Sequence, residues 1–400
     1  MIIIKIIIDK YIHKGYIVIN FSMIKCNKLV YKIEGVIKIS NVIPEGTRDF
    51  TIDECIKRRR IVDKVTDIFD KWGYSEISTP TIEYYETFNH KTQSLKEEEM
   101  YKFFDNRGRI LVLRPDMTVP VARMINTKFR DISLPVKLYY SEKVFRVHES
   151  LEGKKNEYLD CGIEFVGLDG KNIDLEVLVT AIETLKAIGN KKFKIEIGNV
   201  NISKAALSGI GINGVEKKVI MNLINNKSLI SLKEALELLD ISEENKEFLN
   251  KLPWLFGGYE MIEKAKQLSV NKNMTESIIY LEDLYLSLKE LGYEKYITVD
   301  LSMVPRVDYY SGIIFKGYID GIGKAILRGG RYNGLLKNFG QDKPAIGFSI
   351  DINELININY NNKNKYLEVT IDNNNPISML KEAIIKTNEG KRVNIKYKNK

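Results

Sequence analysis

Cysteine is scarce in this chain of 400 residues: Cys26, Cys55 and Cys161 lie far apart and form no C-x-x-C pair. That spacing excludes a disulfide framework and a structural zinc site, and it places the protein by default in a reducing cytoplasm. Histidine is equally rare, and His13, His90 and His148 do not cluster, so neither a metal nor a cofactor is expected. Long hydrophobic runs are also missing. The opening MIIIKIIIDKYIHKGYIVINF is broken by Lys5, Asp9, Lys10 and Lys14 and carries no small-residue cleavage site. Dense blocks of one charge are absent too. The formal net charge of +8 comes from dispersed lysines, and Arg58-Arg59-Arg60 falls inside a helical pattern as a solvated face. Neither a membrane nor a nucleic acid is expected as a partner.

What is present is the composition of a soluble globular protein, 44% hydrophobic and 28% charged, long enough for two or three domains. Residues 1–40 read either as an extra β-hairpin or as leader sequence before a start at Met23. From Asn41 the texture changes. PEGTRDF leads into a helical pattern from about Ile52 to Trp72, with Ile56, Ile61, Val65, Ile68 and Phe69 at helical spacing and Gly73 as a C-cap. EISTPTIEYYETF reads as a strand and a turn, and ILVLRPDMT as a buried strand ending in a polar loop. VKLYYSEKVFRVHES and YLDCGIEFVG form a hairpin around a charged loop, Leu151 to Glu157.

A helix follows, capped by Asn172 or Asp174, with Val177, Leu178, Ala181, Ile182, Leu185 and Ile188 on one face. Phe193, Ile195 and Ile197 alternate as a strand. Residues from about 201 to 292 are helical in pattern and read as an insertion. ITVDLSM, GIIFKGYI, KAILRGG and AIGFSI supply four more strands. Strands joined by hairpins outnumber helices, which predicts an α+β core over 41–355 with a largely antiparallel sheet. After the low-complexity NINYNNKNK, residues 356–400 carry a small β-α-β pattern, too short for an ordinary domain.

Strands place alternate side chains on one face. Arg114 and Asp116 share a parity, which Thr118 joins if the strand continues. Arg146 lies on one hairpin strand; Asp160, Gly162 and Glu164 lie at even spacing on the next. Tyr309 and Tyr310 precede another strand, and Gly329-Gly330-Arg331 offers close backbone approach with a guanidinium. Singly, each is an ordinary strand-end charge. As a set they suit a small zwitterion: Asp116 for an ammonium, Glu164 and a tyrosine for a polar ring, Arg146 for a carboxylate or phosphate.

These segments resemble the catalytic core of class II histidyl-tRNA synthetases. PEGTRDF with its helix resembles motif 1, and VFRVHESLEGKKNEYLDCGIEFVG resembles motif 2 and its loop. LRPDMT, VDYYSGIIF and GGRYNGL resemble the histidine-site segments, and PAIGFSIDINEL stands at motif 3. The departures matter as much. Against the family pattern, Glu354 stands at the motif 3 arginine, Pro305 at the catalytic arginine with Arg306 beside it, and Lys154 and Asn156 at motif 2 arginines. Asp160 replaces a neutral glutamine. A carboxylate in place of a cation beside phosphate reverses an interaction of about 4 kcal/mol at ~4 Å and an effective dielectric of ~20. Only about 45 residues follow Leu355, where a synthetase carries an anticodon-binding domain.

The pattern as a whole is similar to the regulatory subunit family of ATP phosphoribosyltransferase, in LRPDMT with Pro120, Ala122 and Arg123, in YYSGIIFKGY, and in the reduced C-terminal region. That resemblance implies a non-catalytic subunit of the first step of histidine biosynthesis. It implies binding to the short catalytic subunit in a hetero-octamer of four plus four, a homodimer through the synthetase-like core, and feedback by L-histidine. The site residues it implies are Asp116, Thr118, Arg146, Asp160, Glu164, Tyr309 and Tyr310. A divergent histidyl-tRNA synthetase that activates histidine with ATP is the alternative, and a tRNA-binding sensor a third reading.

Overall fold

A computed structural model describes residues 6–13, 16–23, 34–38, 43–89, 95–148, 155–189, 192–208, 210–304, 309–356, 368–371 and 375–396. Cys26, His90, Lys154, Pro305, Arg306 and all of NINYNNKNK lie outside the described residues. Contacts divide the chain into two compact units, residues 1–358 and 359–400.

The strands Ile6–His13 and Tyr16–Met23 pair as an antiparallel hairpin, and Glu34–Lys38 adds to it as a third strand. The helix Ile52–Lys71 starts at a capping box, in which Thr51 and Glu54 satisfy each other's backbone amides. It buries Ile61, Val65 and Phe69 at helical spacing and ends before Gly73, whose φ of 78° is the left-handed value a helix stop favours.

The centre of the first unit is a nine-stranded sheet. Its order is Phe256–Gly257, Ile297–Asp300, Phe193–Asn199, Ile313–Ile319, Leu327–Arg331, Ala345–Asp351, Glu157–Val166, Val136–Phe145 and Ser75–Glu76. Two pairings are parallel, Phe193–Asn199 with Ile297–Asp300 and Ser75–Glu76 with Val136–Phe145; the rest are antiparallel. The sheet is therefore mixed and mostly antiparallel, in an α+β architecture. A parallel pair needs a long crossover. Between Asn199 and Ile297 that crossover is the helical insertion, six helices from Val200–Ala206 to Lys272–Glu290.

Alternation divides the hairpin strands between two cores. Tyr139, Ile163 and Phe165 face the helices Ile52–Lys71 and Lys171–Ile188, and Leu138 and Tyr140 face the other side. The predicted face of Lys171–Ile188 is buried at all six positions, Val177 through Ile188. Its start differs from expectation. The cap is Gly170, at φ 108°, and Asp174 lies inside the first turns, fully buried.

A second difference follows Leu113. The strand Ile110–Leu113 stops there, and Thr118–Thr127 is a helix, so Thr118 does not continue the strand parity of Arg114 and Asp116. Pro115 and Pro120 account for it. The first is poorly placed in a continuing ladder, and the second is tolerated in a first helical turn, where its missing N–H costs nothing. The Asp116 carboxylate accepts the Val119 amide at 3.0 Å and so secures that turn. Among the described residues no helix is long and apolar enough to cross a membrane.

The second unit is a parallel β-α-β, Glu368–Ile371, Pro376–Asn388 and Arg392–Ile395. Asn375 caps its helix ahead of Pro376, and Met379 and Ala383 pack on Val393 and Ile395.

Candidate functional site

One face of the sheet opens into a cavity of about 900 Å³ whose lining includes Asp116, Thr118, Arg146, Asp160, Glu164, Tyr309 and Tyr310. The structure thus brings all seven candidate residues together, though from different directions. Asp160 and Glu164 alternate along Glu157–Val166. Arg146 follows the end of the partner strand, and its Nε donates to the Pro115 carbonyl at 2.7 Å. Asp116 and Thr118 arrive from the start of a helix rather than from a strand.

The cavity floor depends on glycine. Gly330 and Gly347 stand opposite each other in the ladder, and Gly347 stands opposite Glu164. A Cβ on Gly347 would lie 2.0 Å from Glu164 Oε2, and one on Gly330 would lie 2.7 Å from the Tyr310 ring. The missing side chains are what seat the carboxylate and the tyrosine. Glu164 is 1% exposed, with Thr118 Oγ1 donating to its Oε1 at 2.9 Å and the Tyr332 hydroxyl donating to Oε2. Each oxygen retains a lone pair for a ligand N–H. Tyr309 lies 5.1 Å from Tyr310 and 5.9 Å from Tyr332, ring to ring, which makes an aromatic wall.

Arg331 does not join this site. Arg328 and Gly330 share the cavity face, so Arg331 falls on the opposite one. There its Nε donates to Asp174 Oδ1 at 2.7 Å, and its terminal nitrogens meet Asp174 and Asp169. Sequence reasoning assigned no role to Tyr332, Tyr140, Lys316, Lys324 or Arg328, all of which line the cavity. Strand parity was the available signal for two of them. Arg328 sits two residues before Gly330, and Lys316 stands opposite Arg328.

Glu354 is not a bare carboxylate beside the cavity. Lys155 approaches it at 2.5 Å and Lys324 at 3.2 Å, and these lysines hold its pKa below the usual range against the opposing effect of burial. Asn156 is buried in a structural role. Its amide nitrogen donates to the Glu45 carbonyl at 3.1 Å and the Tyr101 hydroxyl at 2.9 Å, while its Oδ1 accepts from His148 N.

The carboxylates facing the cavity are strongly perturbed. Burial pushes Glu164 up to about 8. Asp160 retains some exposure, yet the surrounding walls strip most of its water; that desolvation, and then the Asp351 carboxylate opposite it in the ladder, raise it to about 7. Both values exceed those of an unfolded chain. The folded state then holds protons that the unfolded chain releases, so the stability these groups contribute is present at low pH and lost as pH rises from about 4 towards 8. Asp160→Asn removes one such group. The variant is expected to be more stable than the parent at pH 8 by on the order of 2 kcal/mol, with a flatter profile between pH 5 and 8. Denaturant unfolding at both pH values checks this, and an unchanged slope would mean that water still solvates Asp160. A ligand ammonium would act in the same sense as the substitution, by favouring the ionised carboxylates.

The histidyl-tRNA synthetase family profile matches residues 46–355. The chain is 43% identical to an ATP phosphoribosyltransferase regulatory subunit of Clostridium botulinum (strain Langeland / NCTC 10281 / Type F) over 316 residues, 78% of this chain and 75% of that one. It is 40% identical to one from Bacillus thuringiensis (strain Al Hakam) over 331 residues, 82% of this chain and 78% of the relative. The crystal structure of an ATP phosphoribosyltransferase regulatory subunit/histidyl-tRNA synthetase from Bacillus halodurans C superposes with a TM-score of 0.80 at 30% identity, covering 89% of this chain and 92% of that one. Histidyl-tRNA synthetase from Nostoc sp. PCC 7120, at 21% identity and a TM-score of 0.75 over 90% and 86% of the two chains, shares the fold. With a matching profile over most of its length and relatives at 40–43% identity, this chain belongs to the ATP phosphoribosyltransferase regulatory subunit family, built on the histidyl-tRNA synthetase-like fold.

Proposed function

We propose that this chain is a non-catalytic regulatory subunit that the short catalytic subunit of ATP phosphoribosyltransferase requires for full activity, and that it carries feedback inhibition by L-histidine. The catalytic subunit joins ATP to phosphoribosyl pyrophosphate with release of pyrophosphate. The observation that carries the reading is the composition of the cavity beside the names of the relatives. Arg146 would take a carboxylate, Asp116 an ammonium, and Glu164 with the tyrosine wall a polar ring, and all of them line one cavity. In this reading the amino-acid end of a synthetase-like site is kept. At the other end Glu354 occupies Lys155 and Lys324, which weakens the case for ATP activation.

In this reading the assembly is a hetero-octamer of four regulatory and four catalytic chains in the cytoplasm, with regulatory homodimers formed through the synthetase-like core. Its regulation is a population shift. The regulatory chains favour the active arrangement of the catalytic chains, and histidine favours the inactive one by binding the two states unequally.

The test is phosphoribosyl-ATP formation by a short-form catalytic subunit from the same source, with and without this chain. A large rate increase that histidine suppresses is the expected result. No change in rate and no co-elution of the two chains would remove the reading. Histidine-dependent exchange between ATP and pyrophosphate would then favour a divergent synthetase, and steeply salt-dependent tRNA binding a tRNA sensor.

A further inference from the structure

The tyrosine wall of the cavity is held from behind by one short helix. Three consecutive carbonyl groups, those of Tyr310, Ser311 and Gly312, each accept a hydrogen bond from Val200–Ala206. Lys204 Nζ donates to Tyr310 O at 2.8 Å, Asn201 Nδ2 to Ser311 O at 2.9 Å, and the Val200 amide to Gly312 O at 3.0 Å. The Tyr310 ring packs on a small apolar cluster to which that helix contributes Val200, beside Met303 and Ile314. Opposite the helix, Gly330 leaves the space the ring occupies.

Backbone carbonyls in an irregular segment need partners, and here the ladder supplies few of them. The Ser311 amide donates to Arg331 O at 2.8 Å, and the Ser311 hydroxyl accepts the Asn333 amide at 2.8 Å; these bonds fix the segment to its neighbouring strand. The bonds from Lys204 and Asn201 come from the other side. Both residues, with Ser311 and Gly312, line a second cavity of about 650 Å³. The helix is also tied to the rest of the insertion, since Asn271 Nδ2 donates to Ala205 O at 2.9 Å.

We propose that the helix Val200–Ala206 positions the tyrosine wall, with Lys204 and Asn201 as its positioning residues, and thereby sets the ligand affinity of the cavity in front of it. Aromatic contacts on a polar ring depend on placement to within about an ångström, so a wall released from its carbonyl bonds binds less tightly although every contacting side chain is retained. The proposal rests on the reading of this cavity as an amino-acid site.

The experiment uses the full chain and its variants Lys204→Met, Lys204→Arg and Asn201→Ala. Histidine binding is measured by calorimetry, and backbone hydrogen exchange is followed over residues 309–313. Lys204 is exposed, so its variants are expected to fold. Lys204→Met and Asn201→Ala are expected to weaken histidine binding about three- to tenfold and to speed exchange in the segment. Lys204→Arg, which still donates to a carbonyl, is expected to restore both. Equal histidine affinity in all four proteins would overturn the proposal, as would a Lys204→Arg variant as impaired as Lys204→Met. If the parent chain binds no histidine, the amino-acid reading of the cavity fails. Exchange then decides alone: unchanged rates in Lys204→Met overturn the positioning role, and faster rates reversed by Lys204→Arg support it.

Discussion

Arg331→Met is expected to lower the unfolding free energy of this chain by about 3–5 kcal/mol, the usual cost of removing one partner from a buried ion pair. Asp174 is fully buried in the helix Lys171–Ile188, and Arg331 lies on the sheet beneath it at 4% exposure. Asp174 Oδ1 accepts from two guanidinium nitrogens, and Oδ2 accepts from the Tyr280 hydroxyl at 2.7 Å. Burial raises the Asp174 pKa, and Arg331 pulls it back. Once the guanidinium is gone, a buried carboxylate is left with one phenol and must be protonated or draw in water. Methionine fills most of the removed volume, so the loss is mainly electrostatic. Combining Arg331→Met with Asp174→Leu should recover most of the stability, because replacing both members of a buried pair by apolar groups is nearly neutral. Guanidinium unfolding of the two single variants and the double variant gives the coupling directly. A loss below about 1 kcal/mol in Arg331→Met would show that the pair is solvated after all.

This pair also shows where the sequence stops being legible. Strand alternation is local, so the even spacing of Asp160 and Glu164 places both on one face of the sheet whatever else happens. The six apolar positions of Lys171–Ile188 follow in the same way from the helical period. Which face lies over the cavity is a tertiary fact. In sequence Arg331 stands beside two glycines, one of which, Gly330, lies on the opposite face of the strand. The helix Thr118–Thr127 was hidden for a different reason. Its first turn contains Pro120 and follows Pro115, and an apolar run before such a pair reads as a strand fading into a loop. Thr118 still reaches Glu164, by way of a helical start instead of an extended chain.

Charge compensation is harder still to read. Glu354 and Lys155 are 199 positions apart, and no spacing rule links them. From sequence the carboxylate is a repulsive charge at a place that favours anions. In the structure Lys155 and Lys324 neutralise it. The Asp160 and Asp351 pair runs the other way. Asp160 stands out in sequence as a site residue, but only the ladder register sets it opposite Asp351 in a desolvated cavity.

The largest functional effect is expected from the combined variant Asp116→Ala, Glu164→Ala and Tyr310→Ala: activation of the catalytic subunit retained, and histidine inhibition lost. Truncating a buried hydrogen-bonded charge partner costs a bound ligand about 2–5 kcal/mol, which is about 30-fold or more in affinity at ~1.4 kcal/mol per decade. Removing an ammonium partner, a ring partner and an aromatic wall together should move half-inhibition beyond any practical histidine concentration. Activation should survive, because these side chains line the cavity and the helices behind the sheet are untouched. Folding is the obvious concern, since Glu164 is buried under Tyr332 and Thr118. Glu164→Gln alone keeps the shape and the hydrogen bond from Thr118, replaces the oxygen that accepts from Tyr332 with an amide NH2, and removes the group's capacity to ionise against a bound ring. It should raise the half-inhibitory histidine concentration at least tenfold with no loss of activation. The assay is phosphoribosyl-ATP formation titrated with histidine. If inhibition is unchanged in both variants while activation persists, the cavity is not the sensor, and the histidine site must be sought where the regulatory and catalytic chains meet.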